Sequence, residues 1–429
     1  MKIKTIIMAG GKGTRLASIA NDIPKPMVRL CGKPILEYQL NCLKENGLRD
    51  IIIVTGHLGE VIRDYFKDGS AFGCNISYFN ESVPLGSAGA LYKIFDELTD
   101  DFILLNGDII FDIDFSRIIA FHKEKKALAT LAVHPNSHPY DSALITCNSN
   151  NQITGWLNKE DERTYHKNLV NAGVHILSKE FLKNCPQENE KVDLDRDILK
   201  PSISTGGIFA YTTPEYIKDM GTPDRLSEVS AAVEKGIVKS KNLKQKQKAV
   251  FLDRDGTINA PNGFINTPED FALIDGAAEA IKKINSCGYL AIVITNQPVI
   301  ARGEVDLETL DFIHKKMETE LGKHGAFIDD LFFCPHHPDR GFPGERPEYK
   351  IDCECRKPKP GMIMEAAKKY NIDLSQSYMA GDDKRDAEAG INAGCIPVFL
   401  SDKKPLDANY SVYKNLLEFT EHLFGGSPN

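Results

Sequence analysis

Four apolar residues, Ala249-Val250-Phe251-Leu252, run directly into Asp253-Arg254-Asp255-Gly256-Thr257. A short apolar run closed by acidic residues and glycine reads as a buried strand that ends at a loop. Residues two apart on an extended segment point the same way, so both carboxylates face one site at the C-terminal end of the strand. Open α/β sheets bind ligands and do chemistry at that end. Phosphoryl transfer needs one carboxylate to attack phosphorus and another to manage a proton, with Mg²⁺ offsetting charge. The segment therefore commits its part of the chain to a doubly wound α/β sheet built around phosphate chemistry.

The same alternation starts earlier. KTIIMAG, DIIIVTG and DFILLNGD each end in glycine or aspartate, with amphipathic stretches between them, the βαβ pattern of a mostly parallel sheet. Near residue 236 it gives way to GIVKSKNLKQKQK, with Lys239, Lys241, Lys244, Lys246 and Lys248. A net charge of −8 argues against a nucleic-acid patch, so this stretch reads as a solvated linker. A second βα series follows in AVFLDRDG, YLAIVITNQ and SYMAGDD. A chain of 429 residues exceeds one ordinary core. The expected division is 1–236, a lysine-rich linker 237–248, and 249–429. No apolar run approaches the roughly 20 residues that span a bilayer. The start, MKIKTIIMAGGKGTRL, reads as a first strand rather than a signal peptide. Ten mostly scattered cysteines suit a reducing cytosol. The expectation is a cytoplasmic enzyme acting on small molecules, with no membrane or nucleic-acid partner and its oligomeric state left open.

In the first series, strand Thr5–Met8 leads into Ala9-Gly10-Gly11-Lys12-Gly13-Thr14-Arg15-Leu16. Glycines let backbone N–H groups approach phosphate oxygens, and Arg15 can stabilise charge on a leaving pyrophosphate. Pro24-Lys25-Pro26-Met27, Asn106-Gly107-Asp108 and Asp219-Met220-Gly221-Thr222-Pro223 follow in order. The set resembles the sugar-1-phosphate nucleotidyltransferases, which implies a Rossmann-like sheet and attack of a sugar 1-phosphate on the α-phosphorus of a nucleoside triphosphate. By that resemblance Asp108 and Asp219 hold Mg²⁺, Lys25 contacts the reacting phosphates, and Gly10, Gly11, Gly13, Thr14 and Arg15 cradle the triphosphate, with Gly107 beside the metal ligand. Asn171-Ala172-Gly173 matches the sugar-contacting strand end, and Glu160 stands where an acidic sugar ligand often occurs. Glu81, Gly86 and Ser87 lie in a segment that resembles the nucleobase loop. A carboxylate only accepts hydrogen bonds, and guanine offers two adjacent donors, so Glu81 points to GTP.

In the second series, Thr295-Asn296-Gln297, Arg356-Lys357-Pro358 and Gly381-Asp382-Asp383 follow Asp253 and Asp255. In this order they resemble the four motifs of the haloacid dehalogenase-like phosphatases. The resemblance implies Asp253 as nucleophile and Asp255 as acid and base. Thr295 and Lys357 hold the phosphoryl oxygens, and Asn296 and Arg356 contact substrate. Mg²⁺ is bound by Asp253, Asp382 and the carbonyl of Asp255. Cys334-Pro335-His336 and Cys353-Glu354-Cys355 form a Cys₃His set for structural Zn²⁺, with four protein ligands and no open position. His337 competes with His336, which the family pattern favours.

This loop together with DRDGTIN, TNQ and CRKPKPGM resembles the D-glycero-D-manno-heptose 1,7-bisphosphate phosphatases, with histidinol-phosphate phosphatases as the nearest rival. Pro298 and Val299 depart from the small residues usual after TNQ. A phosphatase that yields a sugar 1-phosphate and a transferase that consumes one make consecutive steps. The chain thus resembles fused enzymes of GDP-heptose formation, with GTP and heptose phosphates as substrates. The competing readings are a hexose such as mannose with a matching bisphosphate, or one catalytically silent regulatory domain.

Overall fold

The computed structural model describes residues 3–11, 23–187, 189–261, 263–341, 343–402 and 410–425. The chain forms two compact units. The first comprises 1–134, 145–157 and 171–242; the second comprises 135–144, 158–170 and 243–429. Two excursions from the N-terminal half thus group with the C-terminal residues, which no single linear boundary expresses.

The first unit is built on a nine-stranded mixed sheet. Strands β1 (Lys4–Met8), β2 (Asp50–Thr55), β3 (Asn75–Asn80) and β4 (Asp101–Asn106) form its parallel part, with β1 between β2 and β4. Ile6, Ile7, Ile53, Ile103 and Leu105 are buried, as strands covered on both faces require. A ribbon outside this sheet pairs β5 (Ile109–Asp112) with a later strand. The sheet continues through β6 (Ala129–His134), β7 (Leu144–Cys147), β8 (Ile153–Leu157), β9 (Val170–Ser178) and β10 (Ile208–Thr212), where β9 runs antiparallel to β4. The partner of β5 is β11 (Tyr216–Asp219), whose register sets Asp219 opposite Ile109.

The second unit carries a six-stranded parallel sheet. In chain order its strands are β12 (Ala249–Leu252), β13 (Leu290–Asn296), β14 (Asp330–Cys334), β15 (Tyr378–Gly381), β16 (Ile396–Leu400) and β17 (Ser411–Tyr413). The spatial order is β14-β13-β12-β15-β16-β17, so the strand order reverses at β12 and opens a crevice at its C-terminal end. Val250 and Leu252 pack into one apolar cluster with Ile281 and Ile313, and Phe251 into another with Ile363 and Tyr370. Opposite faces of one strand thus feed two helical layers. Within this unit Glu318, on the helix Leu307–Lys323, accepts the Asn168 backbone N–H at 2.8 Å, and Thr319 accepts that of His166 at 3.0 Å.

The lysine-rich stretch is tied down at intervals. Lys239, Lys244, Lys246 and Lys248 are exposed, but Val238, Asn242, Leu243 and Gln247 are buried. Asn242 donates to Asp112 at 2.6 Å inside the first unit, while Leu243 joins an apolar cluster of the second.

Candidate active sites

In the second unit, β12, β13 and β15 deliver Asp253, Thr295 and Asp382 to the same crevice. Lys357 reaches it from the loop before the helix Gly361–Tyr370. Its Nζ sits 2.7 Å from Asp253 Oδ1, 2.6 Å from Asp386 Oδ1 and 2.8 Å from the Ile294 carbonyl. Burial opposes the charge of Lys357, but the carboxylates of Asp253 and Asp386 outweigh it and hold it protonated. Burial pushes Asp253 up to about 7 against the pull of Lys357, and Asp386 adds to the rise. Burial, followed by the nearby Asp253, pushes Asp382 up to about 6. One lysine cannot neutralise this many acids in a dry site. Ligand oxygens of Asp253, Asp382 and Asp386 lie within 4.8 Å of one another, so the donor set fits a hard divalent cation.

Asp255 is held apart from this cluster. Arg254, fully buried, grips it with Nε at 3.2 Å and Nη2 at 2.9 Å; Gln297 Nε2 reaches it at 2.9 Å and Asn259 Nδ2 at 3.1 Å. Gln297 also donates to Thr295 Oγ1 at 2.8 Å. Asn296 exchanges two hydrogen bonds with the Lys357 backbone, at 3.0 and 3.1 Å, and so fixes the loop that presents the lysine. Arg356 donates to the His336 carbonyl at 3.1 Å, which ties this arginine to the cysteine loop.

That loop gathers Cys334, His336, Cys353 and Cys355. The sulfurs lie 3.2–3.5 Å apart, and His336 Nδ1 is 3.3 Å from Cys355 Sγ and 3.7 Å from Cys334 Sγ. A tetrahedron of sulfurs about 2.3 Å from zinc has edges of about 3.8 Å, so the set is slightly contracted but of the right size and composition. His337 Nδ1 is occupied by the Asp339 N–H at 3.2 Å, which separates it from the cluster. Val299, next to Pro298, is buried with Ile300, Val305 and Leu310, so this departure after TNQ fills a small core.

In the first unit, Asp108 and Asp219 occupy adjacent strand ends, and the Met220 N–H donates to the Asp108 carbonyl at 3.1 Å. Each carboxylate holds a cation: Lys25 lies 2.9 Å from Asp108, and Arg225 binds both oxygens of Asp219 at 2.6 and 2.5 Å. Glu81, half-buried, is pushed up by burial, an effect opposed by the Leu85 N–H that it accepts at 3.3 Å. A Cβ on Gly10 would lie 2.4 Å from Glu81 Oε2, so a side chain there would push this carboxylate aside. Gly86 has φ +83°, and a Cβ there would strike the Val192 carbonyl at 2.3 Å. Ser87 accepts the Leu194 N–H at 2.8 Å and donates to Asp193 at 3.2 Å. Gly86 and Ser87 therefore brace their loop against residues 192–194.

Asn171 accepts from Gly173 N at 3.2 Å and pairs with His175 Nε2 at 2.9 Å. The Gly107 N–H donates to the Met8 carbonyl at 2.9 Å, joining the ends of β1 and β4. Glu160 is exposed, 3.7 Å from Lys159. Gly13, Thr14 and Arg15 lie outside the described residues. Arg225, Arg254, Gln297 and Asp386 escaped the sequence reading as site residues. Asp386 could have been found from its place one turn after Asp382, and Arg225 from its place in the first turn after Thr222-Pro223.

The nucleotidyl transferase family model matches residues 4–236, and the HAD-hydrolase-like model matches residues 354–402. The D-glycero-β-D-manno-heptose-1,7-bisphosphate 7-phosphatase of Photorhabdus laumondii is 38% identical over 170 residues, 39% of this chain and 88% of that protein. The mannose-1-phosphate guanylyltransferase of Mycobacterium tuberculosis is 28% identical over 268 residues, 62% of this chain and 73% of that protein. A solved structure of HddC from Yersinia pseudotuberculosis is 25% identical with TM-score 0.48, covering 54% of this chain and 99% of that one.

Proposed function

Because the chain belongs to the nucleotidyl transferase family and also to that of the heptose-1,7-bisphosphate 7-phosphatases, we propose that it makes a GDP-activated heptose in two consecutive steps. It is a transferase and a phosphatase in one polypeptide. The first step removes the 7-phosphate of a heptose 1,7-bisphosphate; the second joins the resulting heptose 1-phosphate to GMP from GTP and releases pyrophosphate. The observation that carries this reading is the coexistence of two distinct clusters of acids and bases, one in each unit. One holds the buried carboxylate of Asp253 beside Lys357; the other sets the carboxylates of Asp108 and Asp219 at neighbouring strand ends beside Lys25 and Arg225.

In the phosphatase step, Asp253 attacks phosphorus and the bond to the sugar oxygen breaks. Asp255 gives its proton to the leaving alkoxide, then takes one from the water that hydrolyses the aspartyl-phosphate. Lys357 and Thr295 hold the phosphoryl oxygens. Asp253 and Asp382, with the carbonyl of Asp255, would hold Mg²⁺, which would supply charge neutralisation, while Asp386 keeps Lys357 in place. Cys334, His336, Cys353 and Cys355 hold a structural Zn²⁺ that orders the loop carrying Arg356.

In the transferase step the sugar 1-phosphate is already an anion, so no base is required. The residues hold two mutually repelling anions in line. Lys25 and Arg15 offset their charge, Asp108 and Asp219 hold Mg²⁺, and Asn171 and Gly173 meet the sugar. Glu81 accepts from the two donors on the guanine edge. The likeness to a mannose-1-phosphate guanylyltransferase supports a second reading with a hexose in place of the heptose. Assaying phosphate release from heptose 1,7-bisphosphate, and pyrophosphate release from heptose or mannose 1-phosphate with GTP, ATP, CTP, UTP and dTTP, tests both. Turnover of heptose 1-phosphate with GTP at least tenfold above every other pair is expected; preference for a pyrimidine nucleotide overturns the reading.

A further inference from the structure

Residues 193–197 carry three acids at alternate positions, Asp193, Asp195 and Asp197, on a turn whose helical segment Leu194–Leu199 has π-type hydrogen bonding. π-Turns are rare, and they recur at functional sites. Two of the three carboxylates are consumed locally. Asp193 caps the turn through the Arg196 N–H at 2.9 Å and takes the Ser87 hydroxyl at 3.2 Å. Asp197 accepts the Asp193 N–H at 2.8 Å and is gripped by the Arg196 side chain at 2.7 and 2.9 Å. Asp195 is different. Among the described residues its side-chain hydrogen bond is a long one, 3.4 Å, from Asn171 Nδ2. It is half-buried, and burial followed by the neighbouring Asp193 pushes its pKa up to about 6, opposed by Lys200.

The orientation of Asn171 is settled by its other partners. Its carboxamide oxygen takes the Gly173 N–H, so its nitrogen is the end that faces Asp195. His175 is buried, and burial holds it down to about 4 and therefore neutral. Its Nε2 can then donate to the same oxygen at 2.9 Å. The amide nitrogen keeps a second hydrogen, and Asp195 keeps most of its acceptor capacity. A donor and an acceptor stand side by side at the strand end assigned to the sugar. That pair matches a vicinal diol, in which one hydroxyl accepts and its neighbour donates. A carboxylate would repel the phosphates, so this pair belongs to the hydroxyl-bearing side of the substrate.

We propose that Asp195 is a specificity-determining residue of the transferase, accepting a ring hydroxyl of the sugar 1-phosphate while Asn171 donates to the adjacent one. The inference rests on the reading of Asn171 as a sugar contact and extends it. The test uses the full-length enzyme, GTP and D-glycero-D-manno-heptose 1-phosphate. Asp195→Asn should raise the KM for the sugar ten- to a hundred-fold, the loss expected for one hydrogen bond to a charged group. The kcat and the KM for GTP should stay within about threefold, and phosphate release from the bisphosphate should not change. A sugar KM within twofold of wild type overturns the proposal. So does an equal rise in the GTP KM, because the turn would then merely shape the loop at Ser87. If Asp195→Asn does not fold, wild type is assayed with mannose 1-phosphate analogues lacking one hydroxyl at C2, C3 or C4. Loss concentrated on adjacent positions supports the pair, and equal kinetics overturn it. A wild-type enzyme that uses mannose 1-phosphate but not the heptose refutes the heptose reading alone, and the variant is then read on mannose 1-phosphate.

Discussion

The two sites handle charge in opposite ways. Around Asp253 the closest charges are buried and pressed together, with Lys357 locked between the carboxylates of Asp253 and Asp386. Around Asp108 and Asp219 each acid is partly exposed and has a basic partner of its own, Lys25 or Arg225. The chemistry accounts for the contrast. A phosphatase must supply its own nucleophile, and a carboxylate attacks well only when water has been stripped from it and its geometry is fixed. A nucleotidyltransferase receives its nucleophile as part of the substrate. Its protein groups need to recognise and align, so they can stay wet and exchange partners when ligands arrive.

The sharpest attempt to break this contrast separates the activities. Asp253→Asn should abolish phosphate release, at least a thousandfold, and leave pyrophosphate formation near wild type. Asp108→Asn should do the reverse. Loss of both activities in a folded single variant would refute two independent sites. Next in size, chelating zinc or changing Cys355→Ser should lower phosphatase activity by about tenfold or more and depress the melting of the second unit selectively. Metal analysis of purified protein should find about one zinc per chain. Absence of zinc from protein purified without chelators would remove the loop's role.

The wet site should respond in recognition more than in rate. Glu81→Gln is expected to reduce kcat/KM for GTP by about ten- to a hundred-fold, because one charged acceptor is lost. Poorer nucleotides should change much less, and an equal loss for all of them would reduce Glu81 to a loop charge. The smallest effect concerns stability. Burial raises Glu318 from its usual range to about 7. Between about pH 4.5 and 7 the folded state therefore holds a proton that the unfolded chain has released, so stability falls as pH rises through that window and levels off above it. Glu318→Gln keeps an acceptor for Asn168 and removes the titration. Its second unit should match wild type near pH 4 and be more stable at pH 8 by up to about 3 kcal/mol, read from denaturant unfolding at the two pH values. Equal stability of variant and wild type at pH 8 would show that Glu318 ionises freely.

Motif reading reached the buried site more fully than the wet one. Asp253, Thr295 and Asp382 sit at or just past the ends of neighbouring strands, so strand pairing carries them to one crevice, and Lys357 joins them from a loop held by Asn296. Arg254 was visible only as the residue between two aspartates. Nothing local says that it is fully buried and turned onto Asp255, because that depends on Gln297 arriving from β13. Asp195 lies 24 residues from Asn171, on a turn without a strand pattern, and only the fold brings them together. The two excursions at 135–144 and 158–170 were equally hidden. Their grouping depends on partners such as Glu318 and Thr319, far along the chain.

The intermittent burial of the lysine-rich stretch dictates where a gene for this protein should be divided. A break after residue 236 would strip the first unit of Val238 and of the Asn242 amide that satisfies Asp112. A start at residue 249 would strip the second of Leu243 and of Gln247, whose N–H pairs with the Asn371 carbonyl. The one bond that spares both sets joins Asn242 to Leu243. A C-terminal product begun there would still lack 135–144 and 158–170. Water would then stand where Asn168 meets Glu318, and Gly322 would lose the cover of Pro139. A self-contained phosphatase thus calls for polar replacements along one side of the helix Leu307–Lys323, a redesign of surface chemistry rather than a shift of the endpoint.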